Sequence, residues 1–138
     1  MNSKYKTTLA VLAGAALGAA AIQALHAQVK PPIYYVAEVD VTNPEGYVKE
    51  YVPLVQASIK AAGGRLLAVG GPAGAKMTSI EGALPAGRVA LQVWDNMEKI
   101  QAWRNSEAYK NARKIGDKYA KFRSYTASSS YSRATTVG

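Results

Sequence analysis

Five polar side chains carry groups that could do chemistry in this sequence. Arg65 and Arg88 start two predicted strands, Glu81 lies in a long loop, and Tyr109 and Arg113 lie one turn apart on the last predicted helix. Two or three cations with a tyrosine hydroxyl could bind a carboxylate or phenolate in a cleft. Glu81 could act as an acid or base if that cleft desolvates it. The catalytic candidates are therefore Glu81, Arg88 and Tyr109, and the candidates for ligand binding include Arg65 and Arg113.

A structural interpretation of these residues stays open. Arg88 could pair with Glu81 and hold the long loop, and Tyr109 could cover the sheet with its hydroxyl at the surface. The aromatic residues allow the same two interpretations, because nine Tyr against one Phe suit half-buried walls with polar tips. Tyr35 and Trp94 are further ligand-binding candidates, with core or interface packing as the alternative.

The composition excludes several classes of site. The 138 residues contain no Cys and a single His. Without Cys the chain has no disulfide, thiolate nucleophile, Cys-ligated zinc or iron–sulfur cluster. The carboxylates near the first helix are dispersed in a basic chain, and no phosphate loop or dinucleotide fingerprint occurs. The sequence therefore predicts neither a cofactor nor a metal.

Residues 1–27 have the organisation of a secretory signal peptide. Lys4 and Lys6 precede an uncharged apolar run, and small and polar residues follow up to Ala27. The run spans residues 9–22, whereas a comfortable membrane span needs about 20 residues. We expect cleavage after Ala27 and export to the periplasm or the medium, with no stable membrane insertion afterwards. An uncleaved N-terminal anchor is the alternative.

Cleavage changes the inventory of side chains. The mature chain would run from Gln28 to Gly138, with 15 Lys and Arg against 9 Asp and Glu and a net charge of +6. His26 leaves with the peptide, so a Ser-His-Asp triad or a His-ligated haem or metal is impossible in the mature chain. The basic residues near the C-terminus have helical spacing that spreads them around a solvated face, so we expect no nucleic-acid binding.

The hydrophobic pattern predicts the order strand, helix, strand, strand, helix, strand. Asn43 and Ser106 can cap helices, Pro53 should kink or divide the first helix, and Gly63-Gly64 ends it. The predicted elements are strands at 33–40, 65–69, 88–94 and 122–127, a first helix at 43–62, and a second from 95 or 96 that restarts at Ser106.

This order produces a ferredoxin-like βαββαβ domain, an α+β fold with a four-stranded antiparallel sheet and both helices on one face. Strands one and three carry apolar residues on both faces, including Val36, Ala90 and Trp94. A sheet that is apolar on both sides needs two covers, so we predict a homodimer packed sheet to sheet. The predicted boundaries are a signal peptide at 1–27, a lead-in at 28–32, the domain at 33–127 and a polar tail at 128–138.

An ordered set of short motifs supports this architecture. Tyr47 and Tyr51 precede Gly63-Gly64-Arg65, Glu81-Gly82 precedes Arg88-Val89, and residues 102–109 read Ala-Trp-Arg-Asn-Ser-Glu-Ala-Tyr. With Gly70-Gly71, Trp94 and Arg113, this set resembles the family called domain of unknown function 1330, over about residues 33–127. The resemblance implies a ferredoxin-like subunit and a dimeric α+β barrel, without an assigned activity. Trp94-Asp95-Asn96 replaces the family's usual Phe-Pro-Ser type step, and a Ser-rich segment replaces its usual glycine after the fourth strand.

Two hypotheses about function follow. The first is an exported, non-catalytic dimeric module that binds a small organic molecule, of which a small organic anion is one example, or only stabilises a partner. The second is a cofactor-independent enzyme acting on a small carbonyl or aromatic acid in the dimer cleft, with Glu81, Arg88 and Tyr109 as participants. The position of Glu81 distinguishes them, because an enzyme needs it partly buried near the Arg and Tyr groups.

Overall fold

The computed structural model describes residues 30–128, and the elements in this range belong to a compact unit that begins at Pro31. The predicted signal peptide and nearly all of the polar tail lie outside the described residues. The strands are β1 (Ile33–Val41), β2 (Arg65–Gly70), β3 (Arg88–Trp94) and β4 (Ala120–Ser128). The helices are α1 (Pro44–Gly46), a π-helical turn (Tyr47–Tyr51), α2 (Val52–Ala61), α3 (Met97–Asn105) and α4 (Glu107–Gly116).

The four strands form one antiparallel sheet in the order β2-β3-β1-β4. This is the predicted ferredoxin-like topology, so the predicted fold class is confirmed. β1 is an interior strand of the sheet, and its side chains project alternately to the two faces. Tyr35 and Val39 are buried beneath the helices, and two apolar clusters form around them.

The helices begin and end at the predicted signals. The side chains of Asn43, Asn96 and Ser106 each accept a hydrogen bond from the backbone N–H three residues on. Pro53 falls in the first turn of α2, where its missing N–H costs little, and the π-helical turn lies directly before it. That turn buries both Tyr47 and Tyr51 against the sheet.

A close approach at Gly64 lets β2 start beside the core. A Cβ atom at this position would lie 2.5 Å from Cζ2 of Trp94, closer than real contacts allow. Gly63, with φ of +90°, turns the chain from α2 into β2. The pair therefore ends the helix and also makes room for the Trp94 ring. Among residues 30–128, no helix is long and apolar enough to cross a membrane.

Candidate functional site

A row of small side chains crosses the middle of the helix-covered face of the sheet. The register aligns Ala90, Ala37 and Ser124 across β3, β1 and β4. Because these side chains are short, space remains beneath the helices, in two adjoining parts of about 50 and about 30 Å³. We call this space the interlayer cavity; the residues common to both parts are Ala37, Tyr51, Val55, Gln92 and Phe122.

Two arginines and two tyrosines meet at the smaller part of the cavity. Nη1 of Arg104 donates hydrogen bonds to the hydroxyl oxygens of Tyr35, at 3.1 Å, and Tyr109, at 2.5 Å. Nη1 of Arg113 donates to the same Tyr109 oxygen at 3.3 Å. We call Tyr35, Arg104, Tyr109 and Arg113 the arginine–tyrosine cluster.

The break between α3 and α4 creates this cluster. Arg104 lies in the last turn of α3 and Tyr109 in the first turn of α4. Between them, the Ser106 hydroxyl donates to the Trp103 carbonyl at 2.7 Å and accepts from the Tyr109 N–H at 3.2 Å. The guanidinium of Arg104 consequently lies 4.8 Å from the centre of the Tyr109 ring, at cation–π distance.

The cluster has an excess of hydrogen-bond donors. The Tyr109 oxygen already accepts from two guanidinium groups, so its O–H proton is free to donate elsewhere. Arg113 has a carboxylate partner, because its Nε donates to Asp117 at 2.7 Å. Within the described part of the chain, Arg104 has none. Such a set of donors suits an anionic group.

The electrostatics of Arg113 reinforce this surplus of positive charge. Burial lowers the pKa of Arg113, but hydrogen bonds to Asp117 and Tyr109 outweigh that effect and raise it overall. The guanidinium also lies 4.1 Å from the centre of the Phe122 ring, which borders the cavity. Arg113 therefore stays charged beside an aromatic wall.

Arg88 lies at the other end of the cavity. It is only 7% exposed, and its Nη1 donates to the Ala73 carbonyl at 2.9 Å. Arg88 thus holds the long loop, as the structural interpretation expected, but through a backbone carbonyl. The expected ion pair with Glu81 does not form among the described residues, where Glu81 is exposed and has no polar partner. The reason is that the loop turns its backbone, and not Glu81, toward the start of β3.

Arg65 does not lie with the other arginines. β2 and β3 are antiparallel, so Arg65 pairs with Val93 and lies at the opposite end of the sheet from Arg88. Arg65 borders a separate open pocket of about 330 Å³, together with Asp95. Trp94 also borders that pocket, but its side chain is 1% exposed and packs in the core against Trp103.

Charge distinguishes the cavities more clearly than volume. An open pocket of about 320 Å³ has Glu38 and Asp40 in its lining beside Arg88, Lys121 and Arg123, and the one beside Arg65 has Asp95. The interlayer cavity has no carboxylate in its lining. An anion is therefore repelled least in the interlayer cavity, although that space is smaller. No group of three or more His, Cys, Asp or Glu that could hold a metal occurs in the part of the chain described.

Two residues of the site, Arg104 and Gln92, were not predicted from the sequence. Arg104 stands inside the segment that carries the family resemblance, next to a predicted helix break, which was the available signal. Gln92 stands between Ala90 and Trp94 on the covered face of β3, and a polar residue in that alternation was the second signal. The Gln92 side-chain oxygen accepts from Nε1 of Trp94 at 3.0 Å, which leaves its amide nitrogen toward the cavity.

The fold and the cavity together define a ferredoxin-like α+β domain with space between its sheet and helices. A protein of unknown function from Rhodopseudomonas palustris is 13% identical, with a TM-score of 0.57 over 71% of this chain and 82% of that one. SnoaB, a cofactor-independent oxygenase from Streptomyces nogalater, is 9% identical, with a TM-score of 0.51 over 70% of this chain and 91% of that one. At these identities the likeness concerns the fold.

Residues 32–134 match the family described as Domain of unknown function (DUF1330), and the chain belongs to that family. The predicted membership is thereby confirmed, and the family's description assigns no activity. No curated protein matches the sequence.

The buried Tyr51 predicts a loss of stability in alkali. Burial, and then the neighbouring Tyr47, raise the pKa of Tyr51 well above its ordinary value. Above about pH 10 the unfolded chain loses this proton while the folded chain keeps it, so the free energy of unfolding falls as pH rises. One such group contributes up to about 1.4 kcal/mol per pH unit. In urea denaturation at increasing pH, Tyr51→Phe should show a shallower fall than the wild type.

Tyr125→Phe is the matched control, because it removes the hydroxyl of a tyrosine that is half exposed on β4. A wild type and a Tyr51→Phe variant with identical alkaline slopes would contradict the expectation.

Proposed function

We propose that the protein binds a small organic anion in the interlayer cavity, with Arg104, Tyr109 and Arg113 holding its charged group. The observation that carries this proposal is the donor surplus of the arginine–tyrosine cluster beside a cavity without carboxylates. Arg104 is partly buried and has no carboxylate partner among the described residues, so its guanidinium is available to a bound anion. Tyr35 takes part by orienting Arg104.

Binding is favoured over catalysis by the position of Glu81. A cofactor-independent enzyme acting on a small carbonyl or aromatic acid needs an acid or base at the substrate. Glu81 is exposed outside the cavity, and of the catalytic candidates only Arg88 and Tyr109 border it. SnoaB, which shares the fold, is a cofactor-independent oxygenase, so the enzymatic hypothesis is the second candidate function. In that hypothesis Tyr109 is the proton donor at the cavity.

Arg104→Met should abolish most of the binding of a carboxylate probe. A hydrogen bond to a charged group contributes about 1.5–3 kcal/mol, so the affinity for octanoate should fall about tenfold or more. Calorimetric titration of the purified protein with octanoate measures it.

Arg65→Met is the control, because it removes the same charge from an exposed position outside the cavity. It should leave octanoate binding unchanged. Equal losses in the two variants would mean that net charge alone attracts the probe and would contradict the site.

We further propose that a second copy of the chain covers the open face of the sheet. On this face the central strands present apolar side chains: Tyr34, Val36, Val89, Leu91 and Val93.

Leu91→Glu would place a charge in that interface and should convert a dimer to a monomer in light scattering at micromolar concentration. Leu54→Glu, at an exposed position on α2, is the control and should stay dimeric. A monomeric wild type would contradict the dimer.

Export completes the proposal, because the N-terminal segment has the order of a signal peptide. Mass spectrometry of the exported protein should find Gln28 as the first residue. A mature pool that retains Met1 would contradict cleavage.

A further inference from the structure

Arg88 is a buried cation at the cavity, remote from the partly buried arginines of the arginine–tyrosine cluster. Its contacts within residues 30–128 are the Ala73 carbonyl and the Tyr47 ring, whose centre lies 5.5 Å from the guanidinium carbon. It has no carboxylate partner there. A guanidinium has five N–H donors, and a buried charge without a counter-ion is costly. Arg88 therefore has both donors and charge available for an anion.

The free donors at this end face accessible space. Among the described residues, no fully enclosed side-chain nitrogen or oxygen lacks a hydrogen-bond partner. The remaining nitrogens of Arg88 have no such partner, so they are accessible from the interlayer cavity or from the open pocket that Arg88 also borders. The Gln92 amide nitrogen, nearer the arginine–tyrosine cluster, has no such partner either. Both residues line the larger part of the interlayer cavity.

The two cationic ends are separated along β3. Gln92 pairs with Tyr35 of the arginine–tyrosine cluster, whereas Arg88 pairs with Val39. Four residues of strand span about 13 Å between the Cα atoms of Arg88 and Gln92. The wall between the ends is apolar and includes Ala37, Val55 and Ala90. The cavity thus has a donor group at each end and an apolar middle.

We propose that the ligand is a slender anion with two negatively charged heads, such as an α,ω-dicarboxylate with an aliphatic chain. Its first head binds the arginine–tyrosine cluster and its second head binds Arg88. This inference rests on the proposed function and names its ligand class. A chain is favoured over a broad ring system because the two parts of the cavity measure only about 50 and about 30 Å³.

Arg88 also connects the cavity to solvent. Arg88 and Phe122 line both the interlayer cavity and the open pocket of about 320 Å³ at that end of the sheet. The open pocket has Glu38 and Asp40 in its lining beside Arg88, Lys121 and Arg123, whereas no carboxylate competes for Arg88 on the cavity side.

Calorimetric titration with suberate, octanoate and succinate tests the proposal on the wild-type protein. Suberate has the chain length of octanoate with a second carboxylate, and succinate has two carboxylates on a chain too short to reach both ends. Suberate should bind about tenfold or more tightly than either. Arg88→Met should reduce suberate affinity to that of octanoate and leave octanoate affinity unchanged.

The controls separate this inference from the proposed function. Lys121→Met removes a cation that lines the open pocket but not the interlayer cavity, and it should leave the preference for suberate intact. If octanoate binds through Arg104 but suberate binds no better, or succinate binds equally well, the two-headed ligand is wrong and the anion site stands. If none of the three binds, both are wrong. If Arg88→Met does not fold, Arg88→Lys, which keeps the charge, replaces it. The comparison of the three acids on the wild-type protein then decides whether the ligand has two heads.

Discussion

Trp103 is the side chain on which the arrangement of this domain depends most. It is 2% exposed, and its ring lies 5.0 Å from the Trp94 ring on β3, 5.5 Å from Tyr35 on β1 and 4.5 Å from Tyr109 on α4. Its Nε1 donates to the Ser58 hydroxyl of α2 at 3.0 Å, so its buried polar atom is satisfied. One aromatic side chain thereby joins two strands and three helices. It also packs against Tyr35 and Tyr109, the two tyrosines whose hydroxyl oxygens accept hydrogen bonds from Arg104.

The candidate site follows from what this packing leaves over. Large aromatic residues fill one end of the space between the layers, and the Ala90–Ala37–Ser124 row leaves the middle open. Polar side chains between the sheet and the helices need hydrogen-bond partners, and few such partners are available there. Acidic residues of the sheet point to the other face, where Glu38 pairs with Arg123 on β4. Positive charge thus accumulates on the covered side.

Much of the fold could be predicted because its signals are local. The caps at Asn43 and Ser106, the glycine pair after α2 and the period-two alternation in β1 and β3 each operate within a few residues. The order of elements then restricts the topology, since parallel crossovers are right-handed. The site was predicted less completely: Tyr35, Tyr109 and Arg113 meet, whereas Arg65 lies elsewhere and Glu81 has no polar partner in the described part.

The sequence by itself determined the family, the βαββαβ order and the residue types available for chemistry, because composition and local spacing carry that information. Only the tertiary structure decided which arginine meets which tyrosine. Antiparallel pairing sends the first residues of β2 and β3 to opposite ends of the sheet, and the turn at Ser106 folds Arg104 back onto Tyr109. The first is a consequence of long-range strand pairing. The second joins residues only five apart, but their side chains meet through the helix break at Ser106 and the packing of Trp103 against Tyr109.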